Sequence, residues 1–151
     1  MNYKRLSISL ILPQLTGIIG SFFTVSAIPT WYTTLVKPSF SPPNWLFGPV
    51  WVTLYFLMGI SIYLIWQKVG KTKDFWLFWT HLFFNAIWTM VFFGLRNPGL
   101  ALINIVILLC LIVVLIIRFW KIKKTSAYLL MPYLLWVTFA TVLNYSLWYL
   151  N

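Results

Sequence analysis

The chain has 151 residues, of which 62% are hydrophobic and only 8% are charged, and its formal net charge is +10. Its mean hydropathy is +0.90. Soluble domains carry about a quarter charged residues, and a chain of this size could not hide so large an apolar excess in one core. The composition therefore excludes a soluble globular protein. The ten tryptophans are the other unusual feature. Large flat rings that are kept away from water can form a binding surface for another flat ring.

Five apolar runs are long enough to cross a bilayer, since a membrane helix needs about 20 mostly apolar residues. The runs cover residues of about 6–26, 45–67, 75–95, 98–118 and 126–149. The first run is longer than the apolar core of a signal peptide, so we expect it to remain as a span. The prediction is an all-α integral membrane protein: one domain over residues 1–151, a five transmembrane helix bundle with a long loop over residues 27–44.

Basic residues are concentrated on one side of the predicted arrangement. Nine of the eleven fall on the side of the N-terminus: Lys4, Arg5, Lys68, Lys71, Lys73, Arg118, Lys121, Lys123 and Lys124. The positive-inside rule then predicts a cytoplasmic N-terminus, with the C-terminus and the 27–44 loop outside. Together with the absence of a targeting extension, this charge asymmetry favours a prokaryotic cytoplasmic membrane. The basic residues are split among three short segments, so we expect contact with anionic membrane lipid and no nucleic acid.

The chain contains few reactive groups. Asp74 is the only acidic residue and is expected to be a solvated loop charge, so no carboxylate pair exists for acid–base catalysis. Cys110 is the only cysteine, which excludes a disulfide within the chain. His81 is interpreted as an interhelical hydrogen-bonding residue, with axial ligation of a metalloporphyrin and a place in a polar pocket wall as the less favoured alternatives. We predict no metal site and no resident cofactor.

Polar residues within the apolar runs indicate which helix faces point inward. The third, fourth and fifth runs each contain an asparagine: Asn85, Asn104 and Asn144. Each would be costly against lipid, so we expect them to hold helices together or to contact a ligand. Asn85 and Trp88 share a helix face at i, i+3. Trp136, Ala140 and Asn144 recur at every fourth residue, and the small Ala140 leaves room for something bulky.

The tryptophans divide by position. Those near span ends are interpreted as anchors at the membrane interface: Trp66, Trp120 and Trp148. For those within the spans, spacing alone leaves core filling and pocket lining equally open: Trp51, Trp88 and Trp136.

The order of residues is more specific than their spacing. The segment WYTTLVKPSFSPPNWLFGPVW at 31–51, continued by Leu54, Tyr55, Met58 and Gly59, closely resembles the tryptophan-rich sensory protein family. This family is also called translocator protein or peripheral-type benzodiazepine receptor. Two further matches are NAIW with FFGL, at 85–88 and 92–95, and PYLLWVTFATVLNY at 132–145. The resemblance extends from about residue 17 to the end of the chain.

The resemblance implies a membrane bundle, commonly a homodimer, whose first long loop is a lid over a pocket. Family members bind porphyrins such as protoporphyrin IX, and also synthetic benzodiazepine-site ligands. Some bacterial relatives degrade protoporphyrin in light, and the two tryptophans implicated there match Trp51 and Trp136. An indole against this photosensitiser supplies an oxidisable partner. The ligand-binding residues carried onto this chain are Trp31, Tyr32, Pro42, Pro43, Trp51, Asn85, Trp88, Asn104, Trp136, Ala140 and Leu143.

The chain departs from the family pattern at three places. Asn104 stands where many relatives have an acidic residue, so we expect better tolerance of porphyrin propionates. Tyr145 matches the tyrosine of the animal cholesterol motif, but no Lys or Arg follows it, and specific sterol binding is not predicted. His81 stands where relatives often carry Gln.

Three functions are compatible with these residues: binding and sensing of tetrapyrroles, light-dependent degradation of protoporphyrin, and transport of amphipathic compounds. We predict a receptor-like porphyrin-binding protein with degradation as a secondary activity, and transport as the alternative. The absence of internal repeats and of charges for ion coupling disfavours transport.

Overall fold

The computed structural model describes residues 2–151, and these residues form five long helices and no strand. The helices are α1 (Tyr3–Ala27), α2 (Phe47–Val69), α3 (Lys73–Thr89), α4 (Pro98–Ile122) and α5 (Lys124–Leu150). Counted with the short turns next to α2 and α3, each is long and apolar enough to cross a membrane. The predicted five-helix, multi-pass membrane fold is confirmed.

The helices extend beyond the apolar runs, most clearly where α4 meets α5. The basic segment predicted as a loop over 118–125 is mostly helical, because α4 ends at Ile122 and α5 begins at Lys124. Only Lys123 separates them, with an extended backbone. Basic residues end an apolar run without ending a helix, since Lys and Arg have good helix propensity. Hydropathy therefore located the spans correctly but cut them short.

Each helix packs against two neighbours, so that the order around the bundle is α1, α2, α5, α4, α3 and back to α1. Successive helices are antiparallel, which places the start of α1 beside the end of α2, where Arg5 donates to the Trp66 carbonyl at 3.1 Å. At the opposite end Asn144 of α5 donates to the carbonyl of Pro98, which begins α4, at 2.7 Å. We call the end that carries the start of α1 the basic end, and the other the lid end.

The last turn of the α3 span is a π-helix over Met90–Gly94. Its wider turn is closed by the Leu95 amide, which donates to the Met90 carbonyl at 2.9 Å, and Arg96 follows with a φ of 52°. Both Phe92 and Phe93 are buried there, at 2% and 8% exposed. Turns of this kind are rare and are frequent at functional sites. The apolar run at 75–95 gave no sign of it, because the hydrogen-bond register leaves no trace in hydropathy.

Asp74 is not the solvated loop charge that its position among lysines suggested. It lies in the first turn of α3, where its carboxylate accepts a hydrogen bond from the Arg118 guanidinium of α4. The Asp74 side chain is 14% exposed and the Arg118 side chain 48%. An ion pair between residues 44 positions apart depends on how the helices pack, and local sequence does not show it.

The three tryptophans interpreted as interfacial anchors differ in exposure. Trp120 and Trp148 are 38% and 51% exposed, as an anchor in the headgroup region requires. Trp66 is only 8% exposed, and its ring packs on that of Phe75 at a centroid distance of 5.0 Å. For Trp66 the interpretation as a lipid-facing anchor is wrong, because the start of α3 covers the ring.

The contact between α1 and α2 is close enough to require a glycine. A Cβ added at Gly59 would lie 2.6 Å from the Ser9 carbonyl oxygen and 3.0 Å from the Leu10 Cα. Both are backbone atoms, which cannot rotate away as a side chain could. Small residues allow backbones to approach in this way where helices pack in a membrane.

We therefore expect Gly59→Ala to push α1 away from α2 and to lower the free energy of unfolding by about 1–3 kcal/mol, the usual cost of overpacking. The measurement is the thermal unfolding midpoint in detergent, followed by tryptophan fluorescence. Gly48→Ala is the matched control, because a Cβ at Gly48 meets nothing within 4 Å. Equal midpoints for the two variants would contradict the close-contact argument.

Candidate functional site

The lid half of the bundle contains a connected set of aromatic rings contributed by the lid, α2, α3, the π turn and α5. We call it the aromatic cluster: Trp31, Tyr32, Phe47, Trp51, Trp88, Phe92, Phe93, Tyr133 and Trp136. Its centre is Trp88, which stacks on Phe92 at 5.4 Å and lies 6.4 Å from Trp51. The cluster joins tryptophans that lie far apart in the sequence.

Hydrogen bonds fix the polar residues beside the cluster. Tyr55 donates to Asn85 Oδ1 at 2.7 Å, and Asn85 Nδ2 donates to the Tyr133 hydroxyl at 3.0 Å. Trp88 Nε1 donates to Asn144 Oδ1 at 3.0 Å. All of these side chains are buried, which agrees with the expectation that the intramembrane asparagines point inward. Asn85 and Asn144 therefore hold helices together in this conformation.

A cavity of about 380 Å³ lies between α1, α2 and the end of α3. Trp51 and Trp88 form its inner wall, and the exposed Ile18 and Val52 at its rim show that it reaches the outer surface of the bundle. Ligand sites are usually apolar spaces of about 300–1,000 Å³ with a few polar groups. Besides its two indoles, the polar side chains of this cavity are Gln14, Ser21, Thr24, Asn44, Tyr55 and Thr89.

A second space, a groove of about 550 Å³, lies between α2 and α5 and contains Trp136 and Phe139 in its wall. Trp51 and Trp136, the two tryptophans implicated in photodegradation by the resemblance, therefore border different spaces. The cluster still links them through a chain of ring contacts that runs from Trp136 through Phe47, Tyr32, Phe92 and Trp88 to Trp51, at centroid distances of 6.1, 6.3, 6.4, 5.4 and 6.4 Å. The structure does not bring the two indoles into one open cavity.

The remaining residues carried over from the family line neither space. From the lid, Trp31 is half-buried on Phe92, Tyr32 is buried, Pro42 is half-buried and Pro43 is exposed. From the helices, Asn85, Asn104, Ala140 and Leu143 are all buried. The predicted site is thus a closed, ring-filled region with an open cavity at one side.

Three of the carried-over residues have a buried polar atom that finds no hydrogen-bond partner within residues 2–151: Tyr32 Oη, Asn104 Oδ1 and Trp136 Nε1. They come from the lid, α4 and α5. An unpartnered buried group costs about 1–3 kcal/mol, so each is a position where a ligand group could restore a lost hydrogen bond. Burial also raises the pKa of the Tyr32 phenol above its ordinary value, an effect that the neighbouring Ser41 hydroxyl partly opposes.

His81 lies in the interior of α3, away from both spaces. Its Nδ1 contacts the carbonyl of Phe78 in the same helix, and its ring packs edge-on against Tyr133. The expectation of an interhelical hydrogen bond is therefore wrong, because the recorded contact is within α3. Among residues 2–151, no group of His, Cys or acidic side chains could hold a metal ion, and His81 lines neither of the two spaces described above.

Asn151, the residue that follows α5, hydrogen-bonds to the backbone of the lid. The Val36 amide donates to Asn151 Oδ1 at 2.9 Å, and Asn151 Nδ2 donates back to the Val36 carbonyl at 3.0 Å. This pairing joins residues 115 positions apart. Lys37 beside it packs over the Tyr32 ring, with its Nζ 4.6 Å from the centroid. Nothing in the local sequence indicated this attachment.

These features define a class of protein: a multi-pass helical membrane protein with a loop closed over a cluster of aromatic rings at one end of the bundle. The comparisons with known proteins agree with it. A family model described as the TspO/MBR family matches residues 9–150. The chain therefore belongs to the TspO/MBR family, and the resemblance recognised in its three motifs is confirmed.

Relatives from distant organisms support this membership. The chain is 40% identical to the Tryptophan-rich protein TspO of Archaeoglobus fulgidus, over 100% of this chain and 99% of that protein. It is 36% identical to the Translocator protein of Homo sapiens, over 90% of this chain and 83% of the human one. It is 34% identical to the Tryptophan-rich sensory protein of Cereibacter sphaeroides, over 80% of this chain and 77% of that protein.

The attachment of the lid gives a direct test. Asn151→Ala removes two hydrogen bonds to Val36 at about 0.5–1.5 kcal/mol each, which should raise the equilibrium for lid opening roughly tenfold. Hydrogen–deuterium exchange of peptides covering residues 32–40 should become faster to match. Ser146→Ala is the control, since its hydroxyl bonds only to the Val142 carbonyl within α5. Unchanged exchange in the Asn151 variant would show that the lid is held by other contacts.

Proposed function

We propose that this chain binds a large planar tetrapyrrole of the protoporphyrin class in the lid half of the bundle, and degrades it in light as a secondary activity. The observation that carries the proposal is the aromatic cluster. Its rings pack on one another at centroid distances such as 5.4 Å for Trp88 and Phe92, the range in which aromatic pairs attract beyond their buried area. A flat ligand with a wide π surface can make contacts with these side chains that replace their contacts with one another.

The unpartnered polar atoms of the site add chemical selectivity. Trp136 Nε1 and the Tyr32 hydroxyl are buried donors without a partner in the described chain, and they suit the carboxylate oxygens of porphyrin propionates. Asn104 Oδ1 is a buried acceptor, which suits a pyrrole N–H. Because Asn104 is neutral, this pocket does not repel an anionic ligand as an acidic residue would.

Binding requires the closed cluster to open. The 380 Å³ cavity already borders Trp51 and Trp88, so separating this pair from the lid rings would extend the cavity toward Trp136. The lid contributes Trp31 and Tyr32 to the cluster through their packing on Phe92. The lid therefore moves when the rings separate. The ligand stabilises the open arrangement because it makes contacts there that the closed arrangement does not allow.

Light-dependent degradation needs no acid–base residue at this site. The porphyrin absorbs the light, and an indole in contact with it supplies an oxidisable partner, with dioxygen as the terminal oxidant. Trp51 and Trp136 are the indoles proposed for this role, on either side of the cluster. Transport across the membrane is the weaker proposal, because no Lys, Arg or Asp side chain is buried among residues 2–151, which leaves no intramembrane charge for ion coupling.

The proposal also includes a homodimer in a prokaryotic cytoplasmic membrane, with the basic end in the cytoplasm. The orientation rests on the nine basic residues at that end of the chain's spans. The dimer rests on the family resemblance alone.

Filling the site should block the ligand. Ala140 is buried on α5, so Ala140→Phe places a ring in the region that the porphyrin would occupy, and affinity for protoporphyrin IX should fall at least about tenfold, a loss of about 1.4 kcal/mol. Quenching of tryptophan fluorescence in detergent measures the affinity. Val142→Phe is the matched control, because Val142 lies two residues away and is 51% exposed. If both variants bind like the unaltered protein, the ligand lies elsewhere.

The photochemical role has a separate test. The double variant Trp51→Phe/Trp136→Phe keeps an aromatic ring at both positions but lacks the oxidisable indoles. We expect it to bind protoporphyrin IX within a few-fold of the unaltered protein, and to bleach the Soret band under illumination at least about tenfold more slowly. Trp120→Phe is the control, since Trp120 lies at the basic end and contacts Tyr128 rather than the cluster. Equal bleaching by all three proteins would refute the degradation proposal and leave the binding proposal standing.

A further inference from the structure

The basic end of the bundle carries more positive charge than the protein itself neutralises. Asp74 is the only acidic residue of the chain, and it is already paired with Arg118. Lys68 Nζ donates to the Ile122 carbonyl at the end of α4, which satisfies one of its donors but does not neutralise its charge. Apart from Arg118, the charge of the basic residues at this end is therefore left to the surroundings.

Two of these cations converge on one buried indole. The Arg5 guanidinium carbon lies 5.4 Å from the centroid of Trp66, and Lys71 Nζ lies 5.8 Å from it. Arg5 is held in place by the hydrogen bond from its Nη1 to the Trp66 carbonyl at 3.1 Å. A guanidinium has five N–H donors, so most of its donor capacity is left for a partner. Trp66 thus makes cation–π contacts with two residues from separate segments of the chain.

The surface of α1 next to this pair is apolar and exposed. α1 is the most exposed of the five helices, with only Ser9, Pro13, Gly20 and Ala27 buried. Within two or three turns of Arg5, its outward side chains Ile11, Leu12 and Leu15 are 54%, 40% and 43% exposed. A phosphate held by Arg5 and Lys71 would therefore lie next to the exposed apolar side chains of α1.

We propose that Arg5, Lys71 and Trp66 form a specific site for the phosphate of an anionic phospholipid, whose acyl chain lies along α1. Basic pockets between membrane helices bind anionic headgroups, and each basic residue near the surface contributes about 1 kcal/mol. The two cations attract the phosphate, and the indole keeps both of them close to it. This site is separate from the aromatic cluster and does not depend on porphyrin binding.

The competing explanation is that the whole basic end attracts anionic lipid diffusely. The chain offers a matched comparison, because Lys124 also packs on a tryptophan at the same end, with its Nζ 5.7 Å from the centroid of Trp120. That pair has a single cation, and its ring is exposed. If the site is specific, removing a cation beside Trp66 weakens the binding of anionic lipid more than removing one beside Trp120. If the attraction is diffuse, the affinity depends only on how many charges are removed.

The test titrates phosphatidylglycerol, and phosphatidylcholine as the neutral lipid, into the detergent-solubilised protein and counts bound lipids by native mass spectrometry. Lys71→Gln should weaken the tightest phosphatidylglycerol binding about fivefold, and Arg5→Gln/Lys71→Gln about 25-fold, the ratios that correspond to about 1 kcal/mol per cation. Lys124→Gln and Lys121→Gln/Lys124→Gln remove the same charges elsewhere and should change it less than twofold. Phosphatidylcholine binding should be equal in all five proteins.

Equal weakening in the site variants and in their charge-matched controls would overturn the proposal in favour of diffuse attraction. Full competition by glycerol phosphate, which has the phosphate without acyl chains, would overturn it in favour of a site for free phosphate. Arg5→Gln also removes the bond to the Trp66 carbonyl, so its thermal midpoint is measured alongside. If that variant does not fold, the question is decided by comparing the phosphatidylglycerol affinity of Lys71→Gln with that of Lys124→Gln. Lys71→Gln is suitable because the Lys71 side chain makes no hydrogen bond within residues 2–151.

Discussion

Asn85 makes the pair of hydrogen bonds on which the interior of this bundle depends. Its amide oxygen accepts from Tyr55 of α2 and its amide nitrogen donates to Tyr133 of α5, at 2.7 and 3.0 Å. A bilayer provides no water to satisfy polar groups, so a side chain of this kind must find partners on other helices. One residue of α3 therefore fixes the relative positions of three helices, and the rings beside it are placed as a consequence.

The aromatic cluster forms where this framework meets the lid. The π turn at the end of α3 directs Phe92 and Phe93 inward together, and the lid rests its own rings on them. Asn151 closes the arrangement by pairing with Val36. The lid is therefore held by the packing of its rings and by the pairing with Asn151, whereas hydrogen bonds between helices hold the base of the cluster. These contacts at the lid can break without moving the helices below.

The basic and lid ends of the molecule have different chemistry. At the lid end, buried donors such as Trp136 Nε1 lie among apolar rings, whereas at the basic end most cations are exposed and only Arg118 has an acidic partner. The same residue type is used at both ends, since indoles form much of the aromatic cluster at one end and contact cations at the other. Trp66 shows that a buried tryptophan at a helix end can organise charge, although its position in the sequence indicated an ordinary interfacial anchor.

Prediction from the sequence succeeded for properties that depend on local composition and failed for those that depend on contact. The apolar runs gave all five helices, and the cost of a polar group in lipid correctly placed Asn85, Asn104 and Asn144 inside. The pairing of Asp74 with Arg118 was missed, because it joins two helices that local sequence cannot align. His81 was expected to bond to another helix, whereas its ring nitrogen contacts the Phe78 carbonyl one turn earlier in α3: position identified a buried polar residue but could not show whether its partner is local or on another helix.

The sequence by itself determined that this is a five-helix membrane protein of the TspO/MBR family, because apolar length and ordered motifs are properties of consecutive residues. Only the tertiary structure decided that Trp51 and Trp136 border different spaces, and that Asn151 fastens the lid. It also decided that two cations meet on Trp66. The physical reason is the same in each case: these contacts join side chains from separate helices or loops, and they exist only once the bundle has packed.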